Sequence, residues 1–298
     1  VGSEMCIRDS SNTDRKAIQD EIDQLTTEID RVSETTKFNE TYLLKGDGAE
    51  KAHNVNAHDA GLDGVTLTDK GDTVDVTLKT LNAGDKVSIA GKNYTIGATA
   101  ADAQKIVDAQ KVDGKTVTVN GTTYTYKTNQ WTNADGSAAT VGGGAAGSIT
   151  IKGGDVVSDG TKTLTAMKDG ADAAGADGID DNDSTVITAG KAYQLQTAEI
   201  VKASSIGSDT AATVKANAGN TNANYANATT TFTLTKGTVS YKDSLSFNLH
   251  VGADADMTNK ITVNIDSMNS AGLGVKGIKA DTEQDATYAI DAIADAIS

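Results

Sequence analysis

Apolar residues recur in steps of four, three, four, three and four along Ile18, Ile22, Leu25, Ile29, Val32 and Thr36. That is the a/d spacing of a helix packing along a partner. Asp20, Glu21, Asp23, Gln24, Glu28, Asp30 and Arg31 fall between them as a solvated face, so the stretch from Ser11 to Leu44 opens on one long amphipathic helix. A stripe this narrow cannot satisfy itself, and little else in the first fifty residues could cover it. The spacing therefore predicts packing partners from distant sequence and a chain cut from a longer protein. At the far end Ala286, Ile290, Ile293 and Ile297 restore the same four-three-four seam. Thr282 caps that helix, with Asp285 at its third position as an acidic variant of the capping box. The seam residues expected to pack are Ile18, Ile22, Leu25, Ile29 and Val32 at one end and Ile290, Ile293 and Ile297 at the other.

Between the two seams the period changes from helical to two. Phe38 to Leu44 reads as a short apolar strand, broken by Lys45-Gly46-Asp47-Gly48. Alternating runs then follow at Val65–Leu67, Val74–Leu78, Val87–Ile89, Tyr94–Ile96, Val117–Val119, Tyr124–Tyr126, Ile149–Ile151 and Phe232–Leu234. Thr is the usual outward residue, as suits a β-branched side chain on a wet sheet face. Lys86–Ile96 and Thr116–Tyr126 align as copies of one hairpin, each turning on a dipeptide that ends in Gly; Asn120-Gly121 is the stronger signal. Ala98 to Ala109 reads as a helix with Ala103, Ile106, Val107 and, at its end, Gln110 on one side. Gly136–Gly147 and Asp169–Asp183 read as loops. Leu245, Phe247, Leu249 and Val251 form one returning strand and Ile261, Val263 and Ile265 a second, with Gly252 to Asn259 turning between them. Ser270 to Gly277 is a Gly-punctuated linker.

The wording of the first helix carries a resemblance. IQDEI, then EIDRVSETTKFN, then LL is similar to the segment of bacterial flagellin where a D1-domain helix ends and the chain turns into a hairpin. Leu249 to Gly274, followed by the helical Ala286 to Ile297, resembles the returning flagellin strand and the start of its C-terminal helix. The two matches stand in the right order around a long insert and cover roughly the first and last sixth of the chain. The resemblance implies the structural subunit of a flagellar filament that serves motility, with no catalysis. It implies a homopolymer of flagellin subunits, an export chaperone, a filament cap, and an extracellular location reached without a cleaved signal peptide. The hairpin-plus-helix unit is similar to insertion modules of flagellin variable regions. One site residue follows by resemblance: Glu21, in Ile18-Gln19-Asp20-Glu21-Ile22, corresponds to a Glu through which such flagellins contact the innate receptor TLR5. Leu25 departs from that pattern, standing where related sequences often carry a basic residue.

Composition narrows the alternatives. The net charge of −15 argues against nucleic acid, because phosphate binding requires clustered Lys and Arg. No run approaches eighteen apolar residues, so no membrane span is expected. Three Phe, one Trp and no Pro leave Ala, Val, Ile, Leu and Thr to fill the core. Cys6 has no internal disulfide partner. Val1–Ser10, which fits nothing that follows, reads as a non-native or disordered leader. His53, His58 and Asp59 are a faint metal candidate whose spacing suits neither one helix face nor one strand face. Asp177–Asp183, DGIDDND, lacks the Gly and closing Glu of an EF-hand. H-E-x-x-H, a P-loop Lys and any Ser/His/Asp arrangement are absent. No catalytic residue, cofactor or metal ligand is therefore expected. Asn39, Asn93 and Asn120 open N-glycosylation sequons, a pattern short enough to recur by chance.

The expected fold class is α+β: helical D1-like segments from both chain ends and a β-rich inserted domain. The expected boundaries are a leader at 1–10, an N-terminal D1-like helix and hairpin start at 11–48, a variable insert at 49–238 and C-terminal D1-like strands and helix at 239–298. The rival reading is an extracellular adhesin or S-layer-type binding module. It accounts for the Thr-rich middle but not for two heptad-seamed helices framing it.

Overall fold

The computed structural model describes residues 12–170, 176–214, 220, 228–251 and 260–298. The leader, Cys6 and the Gly252–Asn259 turn lie outside the described residues. The fold is α+β, with four helices and many antiparallel strands among the described residues. The chain divides into two compact units.

The first unit takes the described residues within Val1–Leu78, Thr197–Ala216 and Thr231–Ser298. Helix α1 spans Asn12–Thr35. It does not run on into a single apolar strand. Instead β1 (Lys37–Phe38) and β2 (Thr41–Tyr42) pair antiparallel as a tight hairpin. Asn39 and Glu40 both have positive φ, at 48° and 65°, the backbone a two-residue hairpin turn requires. The sequence reading of one strand from Phe38 to Leu44 is corrected here: apolar content hid a turn, because neither central residue is Gly.

Strand β3 (Glu50–Asn54) follows, then β4 (Thr66–Asp69) and β5 (Thr73–Thr77). Returning from the second unit come β16 (Thr213–Val214), β17 (Thr231–Thr235) and β18 (Thr238–Lys242). A four-stranded sheet has the order β16-β17-β5-β4, and β18 pairs with β3. The pairing sets Phe232 opposite Val76 and Leu234 opposite Val74. All four are buried while Asp75 and Thr233 between them point to the other, more open face, the alternation that fixes the register. Strands β19 (Leu245–His250) and β20 (Lys260–Ile265) pair in the predicted phase, with Leu245 opposite Ile265 and Phe247 opposite Val263. Helix α4, Glu283–Ile297, begins at Thr282, whose hydroxyl accepts from the Asp285 N–H at 3.0 Å.

The second unit takes the described residues within Lys79–Gln196 and Asn217–Thr230. The two copied hairpins are β6 (Lys86–Ile89) with β7 (Lys92–Ile96), and β8 (Thr116–Val119) with β9 (Thr122–Lys127). Both keep the same register and turn on a pair with positive φ, Ala90-Gly91 and Asn120-Gly121. Asn120 is fastened further: its amide nitrogen donates to Asp155 and its oxygen accepts from the Val156 N–H, each at 2.8 Å. Helix α2, Ala100–Ala109, is closed by a full capping box between Thr99 and Asp102. Its buried Ala103, Ile106 and Val107 join Val117, Val119, Val157 and Trp131 in one core. Trp131 meets Tyr126 edge-on at 5.1 Å.

Helix α3, Ala189–Ala203, was not visible in the sequence pattern. Its buried face includes Gln196, Thr197 and Glu199 beside Ala192, Tyr193 and Ile200. Polar residues at buried positions erase the hydrophobic period on which helix recognition depends.

Candidate functional site

The two sides of α1 do different work. Gln19 and Ser33 are buried, Ile22 and Asp30 are half-buried, and these residues face the C-terminal part of the first unit. Ile22 packs against a core of Val275, Ile278, Ala289 and Ala292, so α1 and α4 share one apolar cluster. The Gln19 amide nitrogen donates to the Ile278 carbonyl at 3.3 Å and its oxygen accepts from the Ala280 N–H at 2.6 Å. Asp30 accepts from both the N–H and the hydroxyl of Ser270, at 2.7 and 2.9 Å. These contacts give the Gly-punctuated stretch after Ser270 a fixed course along α1.

The opposite side is an open acidic strip formed by Asp20, Glu21, Gln24, Leu25 and Glu28. Glu21 is exposed there. Glu28 pairs with Arg31 one turn on, and that hydrogen bond holds the Glu28 carboxyl below its ordinary range. Among the seam residues Ile18, Ile22 and Ile29 are half-buried, whereas Leu25 is 57% and Val32 39% exposed. On α4, Ile290 is half-buried, Ile293 is 37% and Ile297 81% exposed. The fully covered positions on α4 are Ala286 of the predicted seam and, outside it, Tyr288, Ala289 and Ala292. Three of these four are alanines, whose small side chains let backbones approach closely; Ile293 and Ile297 are left with apolar surface facing outward.

The metal candidates separate. His53 stacks on Tyr241 with ring centres 3.9 Å apart and lies 3.2 Å from Asp243. His58 turns to Asp291, at 2.9 Å, and the Asp59 carboxylate accepts from the Gly61 N–H. Among the described residues no group of three or more His, Cys, Asp or Glu side chains could hold a metal ion. In DGIDDND the carboxylates cap their own turns: Asp177 accepts from Ile179, Asp180 from Asn182 and Lys168, Asp183 from Thr185. No described helix is long and apolar enough to cross a membrane. One buried polar pair had no sequence signal, Glu199 on α3 hydrogen-bonded by the Tyr288 hydroxyl of α4. Burial, then the Glu199 carboxylate, pushes the Tyr288 hydroxyl well above the ordinary tyrosine range.

Residues 8–49, which contain α1 and its hairpin, match the family model for the bacterial flagellin N-terminal helical region. The matches support a bacterial flagellin. A flagellin of Clostridium tyrobutyricum is 53% identical over 51 residues, covering 17% of this chain and 13% of that protein. A flagellin of Serratia marcescens is 33% identical over 135 residues, covering 44% of this chain and 35% of that protein. Flagellin C of Vibrio cholerae is 35% identical over 104 residues, covering 35% of this chain and 24% of that protein. The chain thus spans between 13% and 35% of the length of these flagellin relatives. The N-terminal half of the sequence resemblance, IQDEI, EIDRVSETTKFN and LL, lies inside the matched segment; the C-terminal half, from Leu249 onward, lies outside it. Gln19 and Asp30 lie inside the matched segment too, yet nothing in their spacing announced that they bond to residues near the other chain end.

Proposed function

We propose that this chain is the part of a flagellar filament subunit in which the N-terminal helix ends, a variable domain is inserted, and the C-terminal helix begins. The observation that carries the reading is the joint apolar cluster of α1 and α4, in which Ile22, inside the flagellin-matched segment, packs against Ile278, Ala289 and Ala292 from the other end of the chain. Residues 11–48 and 239–298 act as D1-like rod segments, and 49–238 is the surface-exposed insert. Identical subunits join through heterologous contacts into an open helical filament. The outward Leu25, Val32, Ile293 and Ile297 supply apolar surface for further helices of the rod. The function is mechanical rather than catalytic, and its site is extracellular. By family resemblance the partners include other flagellin subunits, an export chaperone and a filament cap. Export without a cleaved signal peptide belongs to the same reading. Glu21, on the open strip of α1, is the residue proposed to meet TLR5.

Antibody raised against the second unit tests the proposal on native cells. Gold label regularly spaced along flagellar filaments is the expected result. Label confined to the cell wall, with bare filaments, would favour the adhesin instead.

A further inference from the structure

His58, in the connector between β3 and β4, is only 7% exposed. Its backbone is clasped where α3 ends: the His58 N–H donates to the Ser204 hydroxyl at 2.9 Å, and that hydroxyl reaches the His58 carbonyl at 3.3 Å. The ring meets α4. Nδ1 lies 2.9 Å from Asp291 and 3.6 Å from Asp295, two carboxylates one helical turn apart. The side chain also borders a cavity of about 280 Å³ shared with Val239, Tyr241, Leu273 and Ala296. The groups that face it are Asp291 and Asp295 from α4, Asp59 from its own connector, Tyr241 from β18, and the uncharged Ser204 of α3. The turn at Ala271–Gly274 contributes no titratable group, and no Lys or Arg borders the cavity among the described residues.

We propose that His58 is a proton-dependent latch that holds the C-terminal helix: the imidazolium anchors Asp291 and Asp295 together, and the neutral ring releases that hold. The inference is independent of the filament reading, since it concerns only how α4 is retained in the first unit. Burial alone pulls His58 toward the neutral form. The hydrogen bond to Asp291 and the charges of Asp291, Asp295 and Asp59 reverse that, leaving the ring raised above the ordinary histidine value. Asp291 is correspondingly lowered by the His58 hydrogen bond. A group raised in the docked state stabilises docking fully below its free value, about 6.5 for histidine, and loses that contribution as pH climbs through the raised value. At still lower pH, protonation of Asp291 removes the nearer anchor from the other side. The latch is therefore strongest in mildly acidic solution and weakens on alkalinisation.

Hydrogen exchange of α4, followed by NMR on the whole chain from pH 5.5 to 9 with α2 as internal reference, tests the latch. His58 should titrate above the ordinary histidine value. Protection of α4 relative to α2 should fall roughly tenfold for each pH unit by which His58 titrates above the free value. His58→Gln should flatten that slope. Because His58→Gln could disturb the connector, the Asp291→Asn/Asp295→Asn pair provides the second arm: it should lower the His58 titration toward the ordinary histidine value and flatten the slope with the imidazole intact. Wild-type α4 protection that tracks α2 at every pH, or a slope that survives both sets of substitutions, would overturn the proposal. So would a His58 that titrates no higher than an ordinary histidine.

Discussion

Gln19 and Ala280 stand 261 positions apart and are joined by a 2.6 Å hydrogen bond from the Ala280 N–H to the Gln19 amide oxygen. The same side chain reaches the Ile278 carbonyl, so one buried amide satisfies a donor and an acceptor of an otherwise irregular stretch. Buried backbone groups need partners wherever no ladder supplies them. Gln19 does for residues 278–280 what a neighbouring strand would do in a sheet.

Gln19→Leu keeps the approximate size and removes both bonds. Leaving a buried backbone N–H unpaired costs about 1–3 kcal/mol. Urea unfolding followed by signals from the first unit should show that loss. An unchanged midpoint would mean that water replaces the amide at no cost.

Asp30 holds the next turn of the same path through two bonds to Ser270. Hydrogen bonds to a charged acceptor are worth about 1.5–3 kcal/mol. Asp30→Ala should destabilise the first unit by that order, and Asp30→Asn by less, since one acceptor oxygen remains. Equal stability for wild type and Asp30→Ala would count against the assignment.

In the second unit Trp131, 1% exposed, sits in the core with Val117, Val157 and Ala139. Trp131→Ala should cost about 3–5 kcal/mol through the cavity it leaves. Circular dichroism is the suitable probe, because the substitution removes the only Trp. A loss below about 1 kcal/mol would show that the core collapses around the gap.

Gly97 tests packing from the other direction. A Cβ there would come within 2.7 Å of Val186 Cγ1 and 3.0 Å of Met167 Sδ. Gly97→Ala should lower stability by about 1–3 kcal/mol through overpacking, relieved in part by Val186→Ala. The double-mutant cycle is the measurement, and strict additivity would rule out the clash.

Glu21→Ala tests the proposed contact with TLR5 and is made in the full-length subunit. Losing a charge-assisted hydrogen bond across an interface costs roughly 1.5–3 kcal/mol, about ten- to a hundredfold in affinity. Reporter cells carrying TLR5 should respond less to the variant, while thermal stability stays within about 0.5 kcal/mol because the side chain is exposed. Indistinguishable titrations from an active parent would reduce Glu21 to a solubilising charge.

Local chemistry was legible from sequence wherever a pattern could be completed within a few residues. The 24-residue α1, the Thr282 cap, the Asn120-Gly121 turn and the Leu245–Ile265 pairing all follow from period, capping and turn residues that need no distant partner. Recognition was equally local, since IQDEI lies within the segment that the flagellin family model matches. Tertiary structure decided which side of each amphipathic helix is covered. Seven-residue spacing defines a stripe, but neighbouring positions such as Gln19 beside Ile18, or Ala292 beside Ile293, compete for the interface. Close backbone approach favoured the small and hydrogen-bonding side chains. It also decided that α3 is a helix, because its buried Gln196, Thr197 and Glu199 find their surroundings only in the folded chain. Likewise His58 meets Asp291 across 233 positions. Sequence reports what each segment prefers alone; such pairings depend on which surfaces folding brings into contact, and no local preference encodes them.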